Sequence, residues 1–209
     1  MDPLFDFFFG QYSAYLPQDI VLELVGVMLG LASVWYAKQN KVAVYPTGMI
    51  STAIFVYLLW KWFLLGDMLI NAYYFAMSVY GWYFWTQKKG EEILHPIAKV
   101  SEKERRLGGV LFLSSLIGVY FLYEYFDKWT SWTAYVDTFT TAIFFVGMWL
   151  MARRKIENWL FWILGDIISI PLYFYKGFTI TSIQYIIFTI IAVYGYRAWK
   201  KELKLSPTA

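Results

Sequence analysis

The sequence predicts an all-α integral membrane protein of seven transmembrane helices, built as two parallel triple-helix repeats joined by a linking helix (3+1+3). Three observations carry that expectation. Of 209 residues, 59% are hydrophobic and only 16% are charged, whereas a soluble domain carries about 25% charged residues. Seven apolar stretches follow one another, with connections that are short except once. The chain also matches itself at a fixed offset that carries helices one to three onto helices five to seven.

A span needs about 20 mostly apolar residues, because the hydrocarbon core is about 30 Å thick and a helix rises about 1.5 Å per residue. Met1 to Asp19 holds Leu4, Phe5, Phe7, Phe8, Phe9, Tyr12, Tyr15 and Leu16, which predict a short aromatic segment lying at the interface. It has no Lys or Arg ahead of its apolar residues and does not read as a secretory signal. The spans are predicted at Ile20–Ala37, Val42–Leu65, Met68–Trp85, Leu107–Phe126, Trp132–Ala152, Ile156–Tyr175 and Phe178–Ala198. Thr86–Arg106 is the long connection. Gly26 and Gly30 form a GxxxG pair that allows close helix approach within or between protomers. Pro46 and Pro171 fall within spans and predict kinks in the second and sixth helices.

Orientation follows from the basic residues. Of the 18 Lys and Arg, the end holding the N-terminus has three, Lys61, Lys128 and Lys176, and the opposite end has the other fifteen. The positive-inside rule then places the N-terminus outside and the C-terminus in the cytoplasm. A shift of 114 residues superposes Trp35 on Trp149, Lys41 on Lys155, Val79-Tyr80-Gly81 on Val193-Tyr194-Gly195 and Trp85 on Trp199 without gaps. The chain therefore divides into an interfacial segment (1–19), a first triplet (20–86), a loop with the linking helix (87–131), a second triplet (132–199) and a tail (200–209). A pseudo-twofold axis along the membrane normal and a site between the triplets are expected.

Composition excludes several chemistries. Cys is absent and His95 is the single histidine, which removes disulfides, thiolate nucleophiles and His-rich metal sites; no cofactor and no nucleic-acid partner are expected. Ionisable groups inside a span are costly and usually face a bundle interior or a wet cavity. Asp166 falls about 15 Å into the sixth helix and Asp137 about 8 Å into the fifth. Asn71 and Ser78 on the third helix, Thr138 and Thr141 on the fifth, and Thr181 and Gln184 on the seventh add amide and hydroxyl groups among aromatic residues. Such a set suits a polyhydroxylated ligand with a flat ring, bonded by the polar groups and stacked on the aromatic faces. Asn71, Gln184 and Asp137 are the candidates for polar contacts, and Trp159, Trp162, Tyr74 and Tyr185 for aromatic ones. Asn158 is a candidate N-cap of the sixth helix.

Tyr80-Gly81-Trp82, Asp137, Glu157-Asn158-Trp159 with Trp162, and Gly177, Tyr185, Gly195 and Trp199 resemble the PnuC family of nicotinamide riboside transporters over roughly Ile20 to Trp199. The resemblance implies a fold related to the SWEET sugar transporters and uptake of nicotinamide riboside, a precursor of nicotinamide adenine dinucleotide, across a bacterial inner membrane. It further implies facilitated diffusion by alternating access, with trapping by a cytoplasmic riboside kinase. Asp166 stands where some relatives carry an amide, and Gln184 where an acid can occur. Related families move other vitamins, such as thiamine or riboflavin. A homo-oligomer is compatible with this reading.

Two other classes fit less well. An intramembrane aspartyl protease needs paired aspartates, but Ile163 replaces the first glycine of a Gly-x-Gly-Asp string before Asp166, and the depths of Asp137 and Asp166 differ by roughly 7 Å. A retinal receptor needs a lysine in the last helix, and Phe178–Ala198 has none. The expectation is a transporter and not an enzyme.

Overall fold

The computed structural model describes residues 15–62, 65–127, 129–176 and 179–205. Most of the predicted interfacial segment, together with Lys128 and Gly177, lies outside the described residues. Among those described, seven helices run as α1 (Pro17–Lys38), α2 (Val44–Lys61), α3 (Leu65–Thr86), α4 (Glu102–Tyr125), α5 (Thr133–Ala152), α6 (Asn158–Tyr175) and α7 (Thr179–Leu205), with a two-stranded hairpin, β1 (Lys88–Lys89) and β2 (Glu92–Ile93), in the long connection. By length and composition alone α1, α4 and α5 are apolar enough to cross a membrane. The other four spend positions on Trp, Tyr and small polar residues, which suit membrane interfaces and helix contacts.

Local chemistry moves the predicted boundaries. α1 starts at Pro17, where a missing N–H costs nothing in the first turn. α4 begins ahead of its apolar run because Ser101 and Glu104 close a capping box, each side chain accepting the other's backbone N–H. α7 runs past Ala198 because Trp199 and Leu203 are buried in the core. Pro46 lies in the first turn of α2, where no intrahelical bond is lost, so the kink expected there has no cause. Pro171 does lie inside α6, and Ser182 of α7 donates to the carbonyl beside it, on Ile170, at 2.8 Å. Gly26 and Gly30 pack α1 onto α2 of the same chain: a Cβ on Gly26 would meet Phe55 at 3.1 Å, and one on Gly30 would meet Ser51 Oγ at 3.2 Å.

The two triplets repeat several of their contacts. α1 and α5 each end on a left-handed residue, Asn40 and Arg154, at matching positions of the 114-residue shift. Lys41 N–H bonds Tyr36 O at 3.0 Å and Lys155 N–H bonds Leu150 O at 2.9 Å, the same turn made twice. The ring of Tyr45 seats on Gly81 and that of Trp159 on Gly195; in both, a Cβ would overlap the ring. Across the halves, α3 packs on α5 and α1 on α7, while α4 packs mainly on α5 at the periphery. The largest buried cluster, with Tyr45, Trp85, Trp159 and Trp199, sits at the basic end where the triplets meet.

The long connection straps that end. Ala98 N–H bonds Arg154 O at 3.1 Å, Ile156 N–H bonds Ala98 O at 3.0 Å, and Arg154 donates to His95 O at 2.9 Å. Glu104 pairs with Arg153 at 3.1 Å and with Lys155 at 3.0 Å, tying α4 to the α5–α6 turn.

Candidate functional site

Two cavities lie between the triplets. The larger, about 560 Å³, opens at the end opposite the basic one and is walled by the first turns of α3 and α5 and the last turn of α6, with Asp67, Asn71, Thr133, Asp137, Thr140, Thr141, Ser169, Tyr173 and Lys176 in its lining. The smaller, about 250 Å³, lies toward the basic end and is lined by Ser33, Ser51, Thr52, Ser78, Met148, Trp159, Trp162 and Asp166 among others. Tyr74, Phe144 and Tyr185 line both. They form an aromatic partition between the cavities. Phe144 stacks on Tyr185 with centroids 6.2 Å apart and 7° between planes, and on Trp162 at 5.5 Å. Gly165 makes room for it, since a Cβ there would overlap the Phe144 ring.

Below the smaller cavity the path is closed. Trp85 Nε1 donates to Ala152 O at 3.1 Å and Met151 O at 3.3 Å, and Trp199 Nε1 donates to Ala37 O at 2.9 Å. The two indoles touch at 5.8 Å, flanked edge-on by Tyr45 and Trp159. Indoles buried with their N–H groups satisfied lose nothing by desolvation and fill the passage with ring area.

Charge is distributed unevenly along the path. Asp137 is held by an ion pair to Lys176 across the larger cavity. Asp166, 3% exposed, has no ion pair or hydrogen bond among the described residues and is the single acidic or basic side chain among them in the lining of the smaller cavity. Three hydroxyls in the same lining have spent their protons: Ser33 donates to Val44 O at 2.7 Å, Ser51 to Gly26 O at 2.7 Å and Thr52 to Gly48 O at 2.8 Å. Their lone pairs remain for a donor or a positive charge. Trp159 Nε1 and Ser169 Oγ are buried without a partner, which makes them available to a ligand.

A family model described as nicotinamide mononucleotide transporter matches residues 20–201. The chain belongs to that family, the PnuC transporters. It is 25% identical over 205 residues to the "Nicotinamide riboside transporter PnuC" of Escherichia coli, spanning 85% of this chain and 84% of that one. It is 26% identical to the protein of the same name from Neisseria mucosa, over 89% of this chain and 74% of the relative. It is 27% identical to "Riboflavin/roseoflavin transporter RibM" of Streptomyces davaonensis, over 73% and 80%. A crystal structure of the vitamin B3 transporter PnuC superposes with a TM-score of 0.66 at 24% identity, covering 97% of this chain and 90% of that one. The fold is therefore that of an all-helical membrane transporter, and the protein is a vitamin transporter, not an enzyme.

Within the PnuC fold, the predicted site residues separate by place. Asn71 and Asp137 line the larger cavity, Ser78, Trp159, Trp162 and Asp166 the smaller, and Tyr74 and Tyr185 both. Gln184, Thr138 and Thr181 line neither: Thr138 turns back to bond Ala134 O at 2.8 Å on its own helix, and Gln184 lies on a different face of α7 from Tyr185. Asn158 is not the N-cap, which is Glu157. Asn158 instead donates to Lys155 O at 2.6 Å, and Glu157 accepts from Val100 N–H at 3.0 Å. Asp137 and Asp166 face different cavities, so they form no shared-proton pair of the protease kind. Sequence reasoning missed Asp67, Lys176, Ser169 and Phe144. One signal was present, because Asp137, Thr140, Thr141, Phe144, Met148 and Met151 recur at helical spacing as one face of α5.

Proposed function

We propose that this protein carries nicotinamide riboside across a bacterial inner membrane by alternating access. The observation that carries this reading is the pair of cavities meeting at Tyr74, Phe144 and Tyr185, open at one end and closed at the other by Trp85 and Trp199. A volume of about 560 Å³ falls within the range of about 300–1,000 Å³ usual for small-molecule sites. A pyridinium ring suits the aromatic faces, since they attract a cationic heterocycle more strongly than a neutral one. Ribose hydroxyls suit the Asn71, Thr140 and Thr141 groups. That relatives from Escherichia coli and Neisseria mucosa are nicotinamide riboside transporters supports the substrate.

In this reading the open end is external and the basic end cytoplasmic, as the lysine and arginine asymmetry supports. Substrate enters the larger cavity, the partition moves aside, and the triplets rock so that the tryptophan seal parts. In this reading flux follows the riboside gradient, and phosphorylation by a cytoplasmic riboside kinase keeps the product from returning. A second reading, riboflavin transport, is favoured by the comparable identity to the RibM protein.

The test is uptake of labelled nicotinamide riboside into proteoliposomes of the purified protein, with riboflavin, thiamine and nicotinamide mononucleotide as competitors. Saturable uptake that equilibrates without an ion gradient and yields only to the riboside supports the proposal. Saturable uptake of labelled riboflavin with none of labelled riboside would move the assignment to the second reading.

A further inference from the structure

Asp166 is placed at the middle of α6, 3% exposed, where an uncompensated carboxylate is expensive. A charge near a bilayer centre costs about 2.5–3.5 kcal/mol even on insertion scales, and in protein it is normally paired or faces a wet cavity. Asp166 faces the cavity and has no pair among the described residues. Among the described residues no Lys, Arg or His lines the smaller cavity with it, and three of the hydroxyls there, on Ser33, Ser51 and Thr52, already donate to backbone carbonyls. The cavity therefore holds one carboxyl that no protein cation among the described residues matches, directly behind the aromatic partition. Asp137 is different: its charge is matched by Lys176.

We propose that Asp166 is the specificity-determining counter-ion of the path, selecting a positively charged ring over a neutral one of the same shape. The inference rests on the riboside reading. As the ring passes Tyr74 and Tyr185 it leaves water, and the Asp166 carboxylate replaces the lost hydration of the fixed pyridinium charge. Coulomb attraction in this low-dielectric chamber far exceeds its value in water. A neutral ring gains nothing from Asp166. A phosphorylated riboside brings its own negative charge toward an unmatched carboxylate and is excluded. Selection of this kind uses a repulsive element as well as an attractive one.

The chemistry offers a matched pair of probes. Nicotinamide riboside carries the pyridinium charge, and its reduced dihydropyridine form has the same outline without the charge. Competition by each against labelled riboside uptake is measured in proteoliposomes for the unaltered protein, Asp166→Asn and Asp166→Glu. The unaltered protein and Asp166→Glu are expected to prefer the charged form by at least about tenfold, and Asp166→Asn to lose that preference while still accepting the neutral form. Acceptance of the neutral form also shows that the variant is folded. Asp166→Asn retaining the full preference for the charged form would overturn the inference and leave the substrate reading standing. Uptake that alkalinises the outer medium in the unaltered protein but not in Asp166→Asn would overturn it in favour of a proton carrier. If the unaltered protein moves neither form, the substrate reading fails and the inference fails with it.

Discussion

Trp85 and Trp199 touch at the centre of the basic end, and each donates its indole N–H across to the opposite triplet, Trp85 to Met151 and Ala152, Trp199 to Ala37. Since Ala37 and Met151 are themselves equivalent under the 114-residue shift, one contact is made twice about a pseudo-twofold axis. Such a seal parts when one half moves relative to the other, as the proposed alternating access needs.

Replacing either indole by phenylalanine keeps most of the ring and removes the donor. Trp85→Phe and Trp199→Phe each remove an indole hydrogen bond, while Met151 O still accepts from Arg154 N–H and Ala37 O from Asn40 N–H, so each variant loses about 0.5–1.5 kcal/mol. Thermal unfolding in detergent should show similar drops in Tm for the two variants. A large drop in one and none in the other would contradict the equivalence of the two latches.

Gly165 holds the place of Phe144, so Gly165→Ala should push that ring out of the partition and reduce uptake at least about tenfold, the effect expected of a displaced site residue. Gly109→Ala on α4, where a new Cβ meets nothing within 4 Å, is the control and should leave uptake unchanged. Initial uptake rates in proteoliposomes, normalised to reconstituted protein, check both.

Lys176→Met leaves Asp137 without its cation in a partly enclosed cavity, with side-chain exposures of 22% for Lys176 and 16% for Asp137. Removing one partner of such a pair strands the other charge, at a cost of about 1–3 kcal/mol. Stability should fall in Lys176→Met and recover in part in the Lys176→Met, Asp137→Asn double variant. A double-mutant cycle on Tm measures the coupling.

His95 lies in the strap outside the spans, stacked on Phe84 at 3.7 Å and bonded to Gln87 at 2.9 Å. Burial, and then Arg153, Arg154 and Lys155, lower its pKa from 6.5. The folded state thus favours the neutral ring. Its contribution to stability is fully present above pH 6.5 and is lost as pH falls from there through the lowered folded value. Tm should therefore decline between about pH 7 and pH 5, and His95→Gln should flatten that decline.

Much of the fold was legible in the residues. Seven apolar runs, a lopsided distribution of Lys and Arg and the Trp85 and Trp199 match depend on hydropathy, charge and linear order, which a sequence displays directly. The α5 stripe from Asp137 to Met151 was equally readable, as helical spacing is a property of order along the chain. Sequence also put Asp166 deep in a helix and showed no basic residue on α6 to match it.

What tertiary structure alone decided is which groups meet. Sequence could not show that Asp137 finds Lys176 at the far end of α6, since the pair depends on how α5 and α6 pack. It could not separate Gln184 from Tyr185, adjacent in the chain yet differently placed on α7, or show that Thr138 bonds its own backbone. It held Gly26, Gly81 and Gly165 as small residues, but only packing made them seats for Phe55, Tyr45 and Phe144. Hydropathy and order are local and additive along the chain, whereas a cavity and its charge arise from side chains on several helices brought together by packing.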